Sequence, residues 1–411
     1  MRFISCRVGH DSLVRIMIII VGLSSVMPVT RVGVSIRVCA VVLTVLIASV
    51  GPECTLKLDR SRLMIIACMG LAMLVSVSYG IVQFEFINSN LVVHEISRFG
   101  YIALILFMLS QTEIEIGTVH LMILIIAFFT IFIGFIQYFY PDVANDFIMK
   151  YYVEGDEMPI HMQISYYRDK RIGSLFINPN IGGAAIVLCM PYFIHYFIEK
   201  KRLLDGFMVV LSVVFIVMTG SRTSLAIGLA IIGYTMIVER RSFWLKVSIV
   251  IVLAALFCFV FYSLFYDVGG IRILKFGSGI REGGSLRIKI QILDEYIRDS
   301  NFFSLFFGSI TDLGFEGADS EWVYVFSLFG LFGLCWYIIL LKQIWTNYCI
   351  PKLIRHMYVI IIALAGLTES IIFCMPILPM TLVASLCRQR KHDWRNSNEN
   401  IGMCYGCSKR L

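Results

Sequence analysis

Apolar runs and short polar breaks alternate along most of this chain. The runs are about 16–24 residues long, the length a helix needs to cross a hydrocarbon layer of ~30 Å. They fall near 14–29, 33–50, 63–81, 92–109, 117–139, 175–198, 203–219, 222–238, 243–266, 321–341, 355–369 and 371–387. The last two are short because Glu369, Pro376 and Pro379 interrupt a stretch too long for one span. The pattern predicts an all-α polytopic membrane protein with about twelve transmembrane helices. The tightest break is Thr219-Gly220-Ser221-Arg222-Thr223, between two runs. An arginine fixed at a membrane edge, with no long loop to escape into, is costly unless an anion meets it.

The polar breaks give an orientation. With the N-terminus inside, the short inner segments hold Arg2, Arg7 and Arg15; Lys57, Arg60 and Arg62; Lys200, Lys201 and Arg202; Arg240, Arg241 and Lys246; and Lys342, Lys352 and Arg355. A basic tail follows Cys387, and this is the positive-inside arrangement. The chain then divides into N-terminal transmembrane helices (1–139), a first outer loop (140–174), helices carrying the Ser-Arg hairpin (175–266), a second outer loop (267–320), C-terminal helices (321–387) and an inner tail (388–411). Both outer loops are long and polar, and loops of that length in a compact bundle usually bind something.

Composition agrees. The chain is 58% hydrophobic and 15% charged, against about a half and a quarter in soluble domains. Its net charge of +7 follows membrane topology and gives no reason to expect nucleic acid. Most of the 12 cysteines fall in apolar runs, as Cys39, Cys68, Cys189, Cys258 and Cys335 do, and read as small core residues. Cys404 and Cys407 form a lone Cys-x-x-Cys, weak grounds for zinc. Arg15 precedes the first run, and that run reads as a retained anchor. There is no sign of an internal repeat, a metal-ligand cluster or a nucleotide-binding loop, so no cofactor is expected.

Four polar constellations face outward on this topology. The first runs from Arg171 to Asn180, where Asn178-Pro179 makes a turn and Asn180 is placed to cap the next helix. Gly182 and Gly183 would let that helix approach a neighbour closely. Arg168, Lys170 and Arg171 form a basic rim there. Ser221-Arg222 is the second, its guanidinium suited to bidentate contact with a diphosphate. In the third, Gly283-Gly284-Ser285-Leu286-Arg287 opens an amphipathic helix with Arg281 close by. The fourth is the stretch from Phe315 to Tyr324, whose Asp319 and Glu321 stand at the mouth of a helix carrying Phe329–Gly333. A carboxylate there is placed to take a proton from a hydroxyl. Each also has a plain reading: a well-made helix start, a snorkelling arginine, a charged interfacial face, and acids favouring a helix N-terminus. Within the membrane, Arg98 with Glu95 one turn before it reads as a structural pair.

In this order and on one face, the constellations resemble the O-antigen polymerase and O-antigen ligase superfamily of bacterial inner membranes. The family pattern is a Phe-x-Asn-Pro-Asn-like helix start, a Ser-Arg hairpin, an arginine in a large periplasmic loop, and a Gly-x-x-Gly helix. Phe176–Asn180, Ser221-Arg222, Arg287 and Phe329–Gly333 match it, and the resemblance covers residues 170–387. It implies a metal-independent inverting glycosyltransferase, similar to the multi-span (GT-C-like) class. Such an enzyme acts on undecaprenyl-diphosphate-linked glycan at the periplasmic face of the inner membrane. Arg222 and Arg287 would hold the diphosphate leaving group, and Asp319 is the candidate carboxylate. Arg168, Arg171, Asn180, Arg272, Arg281 and Glu321 would line the substrate site. Arg171…Gly182 and Arg272…Gly283 fit an Arg-x10-Gly spacing described for the polymerases, but Arg222…Gly233, Arg355…Gly366 and Arg395…Gly406 fit too, so the spacing discriminates little. Where ligases carry His-Asn, this chain has Asp319-Ser320, which favours joining repeat units over transfer to lipid A-core. The implied partners are membrane lipids, a chain-length regulator and a flippase. A ligase and a lipid-linked oligosaccharide transporter are the alternatives, and a cell-wall glycan polymerase ranks below them.

Overall fold

The computed structural model describes residues 16–28, 42, 60–83, 89–111, 113–153, 171–238, 247, 291, 294–298, 300–308, 320–367, 374 and 376–389. The expected spans 33–50 and 243–266 lie almost wholly outside them. So do about half of the first outer loop, most of the second and nearly all of the tail, with Arg168, Arg272, Arg281, Arg287 and Asp319. The helices are α1 (Ile16–Val26), α2 (Arg60–Gln83), α3 (Ser89–Gln111), α4 (Ile116–Phe139), α5 (Pro141–Tyr152), α6 (Pro179–Lys200), α7 (Leu203–Thr219), α8 (Arg222–Val238), α9 (Phe302–Phe307), α10 (Glu321–Trp345), α11 (Lys352–Ala365) and α12 (Leu378–Leu386). One two-residue parallel pair, β1 (Glu113–Ile114) with β2 (Arg388–Gln389), interrupts the all-helical pattern among the described residues.

Five described helices are long and apolar enough to cross a membrane. This is a helical membrane protein. Its hub is α6, which is almost wholly buried along its length and packs against α4, α7, α8 and α11. The sequence Gly182-Gly183-Ala184-Ala185 explains how so many neighbours reach it. Without a water-driven hydrophobic term between helices, close van der Waals approach at small residues carries the association.

Polar contacts sort the helix ends to two sides. At one end, Arg62 donates to Leu386 O at 2.8 Å, Asn347 donates to Ser385 O and Cys387 O, and β1 pairs with β2. His120 and Asp205 meet there at 2.6 Å. At the other end, Ile172 N–H donates to Met218 O, and Gln137 accepts from the amides of Gly173 and Ser174. Ser320 Oγ and Trp322 N–H both donate to Gly366 O there. These two sets coincide with the inner and outer ends expected from the basic residues.

Several boundaries differ from the sequence reading. The first outer loop opens with a helix, α5, started by Pro141 at its first position. α6 begins at Pro179 and not at residue 175, because Ser174–Phe176 form a separate 3-10 turn. The expected final spans shorten to Lys352–Ala365 and Leu378–Leu386.

The largest correction is in α10, expected as one straight span over 321–341. Its backbone breaks at Gly330 (φ 59°, ψ −152°). In an unbroken helix, residues sixteen apart are separated by about 24 Å. Yet Tyr337 O–H donates to Glu321 Oε2 at 2.7 Å across that interval, and Trp322 stacks edge-on against Tyr337 at 4.7 Å. The chain therefore folds back at Gly330, and Glu321–Phe329 packs along the half that follows. The break frees carbonyls that lipid cannot satisfy. Ser76 Oγ donates to Leu328 O at 2.5 Å, and Tyr296 O–H reaches Ser327 O at 3.3 Å.

Candidate functional site

The Phe-x-Asn-Pro-Asn segment and the Ser-Arg hairpin come together at one end of the bundle. Arg171 joins them. Its Nε donates to Thr219 O at 2.7 Å, and its Nη2 donates to Asn180 Oδ1 at 2.5 Å. The side chain lies across Gly220, where a Cβ would stand 3.1 Å from Arg171 Nε. Close approach of α6 completes the arrangement: a Cβ on Gly183 would stand 2.7 Å from Ser224 Oγ and 3.2 Å from Thr219 Oγ1.

Each half has its own local logic. Gly220 sits in the left-handed region (φ 64°), ends α7 and turns the chain at once into α8. Ser221 Oγ accepts from Ser224 N–H, the bond of an N-cap to its third helical residue. Arg222 is then the first residue of α8, half-buried, where the helix already presents positive partial charge. On the α6 side, Asn178 is the N-cap and its Oδ1 accepts from Asn180 N–H at 2.9 Å. This corrects the expectation that Asn180 caps the helix. With Pro179 at the first position, Asn180 falls inside the first turn and its side chain is turned to Arg171.

The segment leading into α6 is strained. Ser174 and Ile177 both have positive φ, at 51° and 64°, and for a β-branched residue that is a genuine outlier. Gln137 holds the turn through the amides of Gly173 and Ser174, and Ser174 Oγ donates to Thr130 O at 2.6 Å. Strain of this kind persists only where the surroundings over-determine it, as binding sites do.

Two helix N-termini and two guanidiniums therefore share one end of the bundle. That is the composition of an anion site: positive dipole ends and planar donors. Glu321 stands at the start of α10, wholly buried, with Tyr337 donating to it. The antiparallel register of α11 carries this region to the same level. Tyr358 bonds Leu188 O on α6 and Tyr234 bonds His356, so the C-terminal end of α11, which carries Gly366, runs toward the starts of α6 and α8.

A second polar cluster occupies the same end. Glu95 Oε1 accepts from Arg98 Nη1 at 2.6 Å and from Tyr324 O–H at 2.6 Å. Arg98 also donates to Tyr324 Oη at 3.0 Å, and exposed His94 lies 3.3 Å from the carboxylate. Sequence spacing reveals the Glu95–Arg98 pair but not Tyr324, which comes from α10. Gln137 was likewise missed, since a lone glutamine in an apolar run carries no signal. Among the described residues, no three His, Cys, Asp or Glu side chains gather as a metal site would need. Compared with known protein families, with characterised proteins and with solved structures, the chain matches none.

Proposed function

We propose that this protein is a polytopic glycosyltransferase of about twelve spans, similar to the multi-span helical class. It joins undecaprenyl-diphosphate-linked oligosaccharide repeat units into surface polysaccharide, on the periplasmic face of a bacterial inner membrane. One observation carries the reading: Arg171 ties the start of α6 to the Ser221-Arg222 hairpin at one end of the bundle. A diphosphate is the anion that such a composite of two arginines and two helix starts fits best.

In this mechanism Arg222, at the start of α8, takes the diphosphate as the glycosidic bond breaks. Charge grows on the leaving oxygen as the sugar departs. A fixed guanidinium beside a helix N-terminus stabilises that charge more than it stabilises the ground state. Arg171 positions the site by holding Asn180 and the hairpin carbonyl together. Arg287 and Asp319, outside the described residues, would supply the second cation and a carboxylate for the acceptor hydroxyl.

The test is genetic. A strain lacking the protein should accumulate single lipid-linked repeat units, and the wild-type gene should restore long chains. Arg222→Ala should leave single units while the protein still reaches the membrane in normal amount. Near-normal chains with Arg222→Ala would sink the site assignment. Long polymer left on the lipid carrier in the deletion strain would point to a ligase.

A further inference from the structure

The opposite end of the bundle holds a buried arginine that has no carboxylate partner among the described residues. Arg355 lies in the first turns of α11 and is 8% exposed. Among the described residues, neither its Nε nor its Nη1 has a hydrogen-bond partner. Its guanidinium runs back toward the helix start and stacks over the ring of Tyr348, 4.5 Å from the centroid. That ring is 82% exposed, so it covers Arg355 from outside.

The helix start beneath is also unsatisfied. α11 has 14 residues, Pro351 at its N-cap gives no side-chain cap bond, and no acidic residue stands in the first turn. Between residues 342 and 356 the sequence holds Lys342, Lys352, Arg355 and His356 and no carboxylate. His356 is occupied, bonded to Tyr234 and stacked on Trp345 at 4.0 Å. Of the helices packed on α11, α6 ends in the exposed Glu199 and Lys200 and α10 carries Lys342, and among the described residues neither open donor of Arg355 meets a carboxylate. Asn347 ties the turn to the end of α12 through Ser385 O and Cys387 O. The turn is thus anchored to α12, and the described charges nearest the start of α11, Lys352 and Arg355, are cationic.

A buried guanidinium with two free donors, aimed back over an uncapped helix N-terminus, is matched by a tetrahedral oxyanion. The tyrosine and tryptophan beside it are the residues that settle at headgroup level in a bilayer. The geometry points to a phosphate-binding site at the α10–α11 turn, formed by Arg355, the first-turn amides of α11 and Lys352, with an anionic lipid headgroup as the natural source of the phosphate. Such a site would pin the end of the bundle remote from Arg222 in one leaflet. It stands independently of the polysaccharide reading.

The test uses the full-length protein purified in detergent. Native mass spectrometry after incubation with phosphatidylglycerol or phosphatidylcholine should show retained phosphatidylglycerol on the wild type. Arg355→Gln should lower that retention at least about tenfold, while its melting temperature in lipid-free detergent stays equal or rises. Arg355→Lys should fall between, since it keeps charge and loses the planar donors. If Arg355→Gln does not fold, Lys352→Gln serves, with a smaller loss expected. Stabilisation of the wild type, and not of the variant, by inorganic phosphate alone would assign the site to free phosphate. Equal lipid retention in wild type and variants, meaning an adventitious lipid only, overturns the proposal.

Discussion

Glu95 shows how a single side chain links distant parts of this bundle. It is fully buried in α3 and bonds Arg98 and Tyr324 through the same oxygen. Removing one member of a buried ion pair usually costs more than the pair contributes, because the remaining charge loses its partner. Glu95→Ala should therefore destabilise the protein by about 3–5 kcal/mol, read as a lowered melting temperature in detergent. The double variant with Arg98→Ala should lose clearly less than the two single losses added together. Strict additivity would show that the pair is not coupled. The i, i+3 spacing makes the Glu95–Arg98 contact legible in the sequence, whereas Tyr324 is 226 positions from Arg98 and only packing brings it there. Arg171 is a similar case. Its cationic character is plain from the sequence, but its partners, Thr219 O and Asn180, lie on two different helices.

At the scale of elements, the instructive case is the fold-back in α10. The run from Trp322 to Leu341 is almost uninterrupted apolar sequence, and periodicity alone assigns it to one helix. What breaks it is a backbone that only glycine adopts readily, held by partners elsewhere: Ser76 on α2 and Tyr296 before α9. Two glycines three apart in a helical pattern do not announce this, since the same spacing also serves close packing. The end of α9 fills the gap so closely that a Cβ at Gly330 would stand 2.3 Å from Phe306 O. Gly330→Ala should thus combine backbone strain with a steric clash, for a loss of at least about 3 kcal/mol. Gly100 is the matched control, because a Cβ there meets nothing within 4 Å, and Gly100→Ala should be neutral or slightly stabilising. Equal melting temperatures for the two variants would contradict the break. By contrast, α4 and α7 were legible nearly to the residue, since their length and apolar content agree with their packing.

For the whole molecule, the central property is the separation of its two ends. Arg60, Arg62, Lys200, Lys201, Arg202, Lys342, Lys352 and Arg355 all fall at the end remote from the Arg171 site, by the helix directions and the contacts at Leu386 and Cys387. Among the described residues the site end carries Arg98 and Arg171, each hydrogen-bonded, together with Arg222, Lys150 and Arg298. Lys and Arg in short loops are retained on the cytoplasmic side during insertion, so the site end should face away from the cytoplasm. The order of basic and apolar segments made this arrangement legible, because sidedness depends on local charge and not on long-range packing. Single cysteines in a cysteine-free background test it directly. Tyr140 ends α4 beside the site and is 68% exposed, while Leu203 starts α7 at the other end and is 77% exposed. A membrane-impermeant maleimide added to intact spheroplasts should label Tyr140→Cys and spare Leu203→Cys, with the pattern reversed in inverted vesicles. Labelling of both from one side would refute the two-ended bundle. A clean pattern with Leu203→Cys outside would leave the fold standing and remove the periplasmic glycosyltransferase, since its lipid-linked substrate would then meet the wrong end.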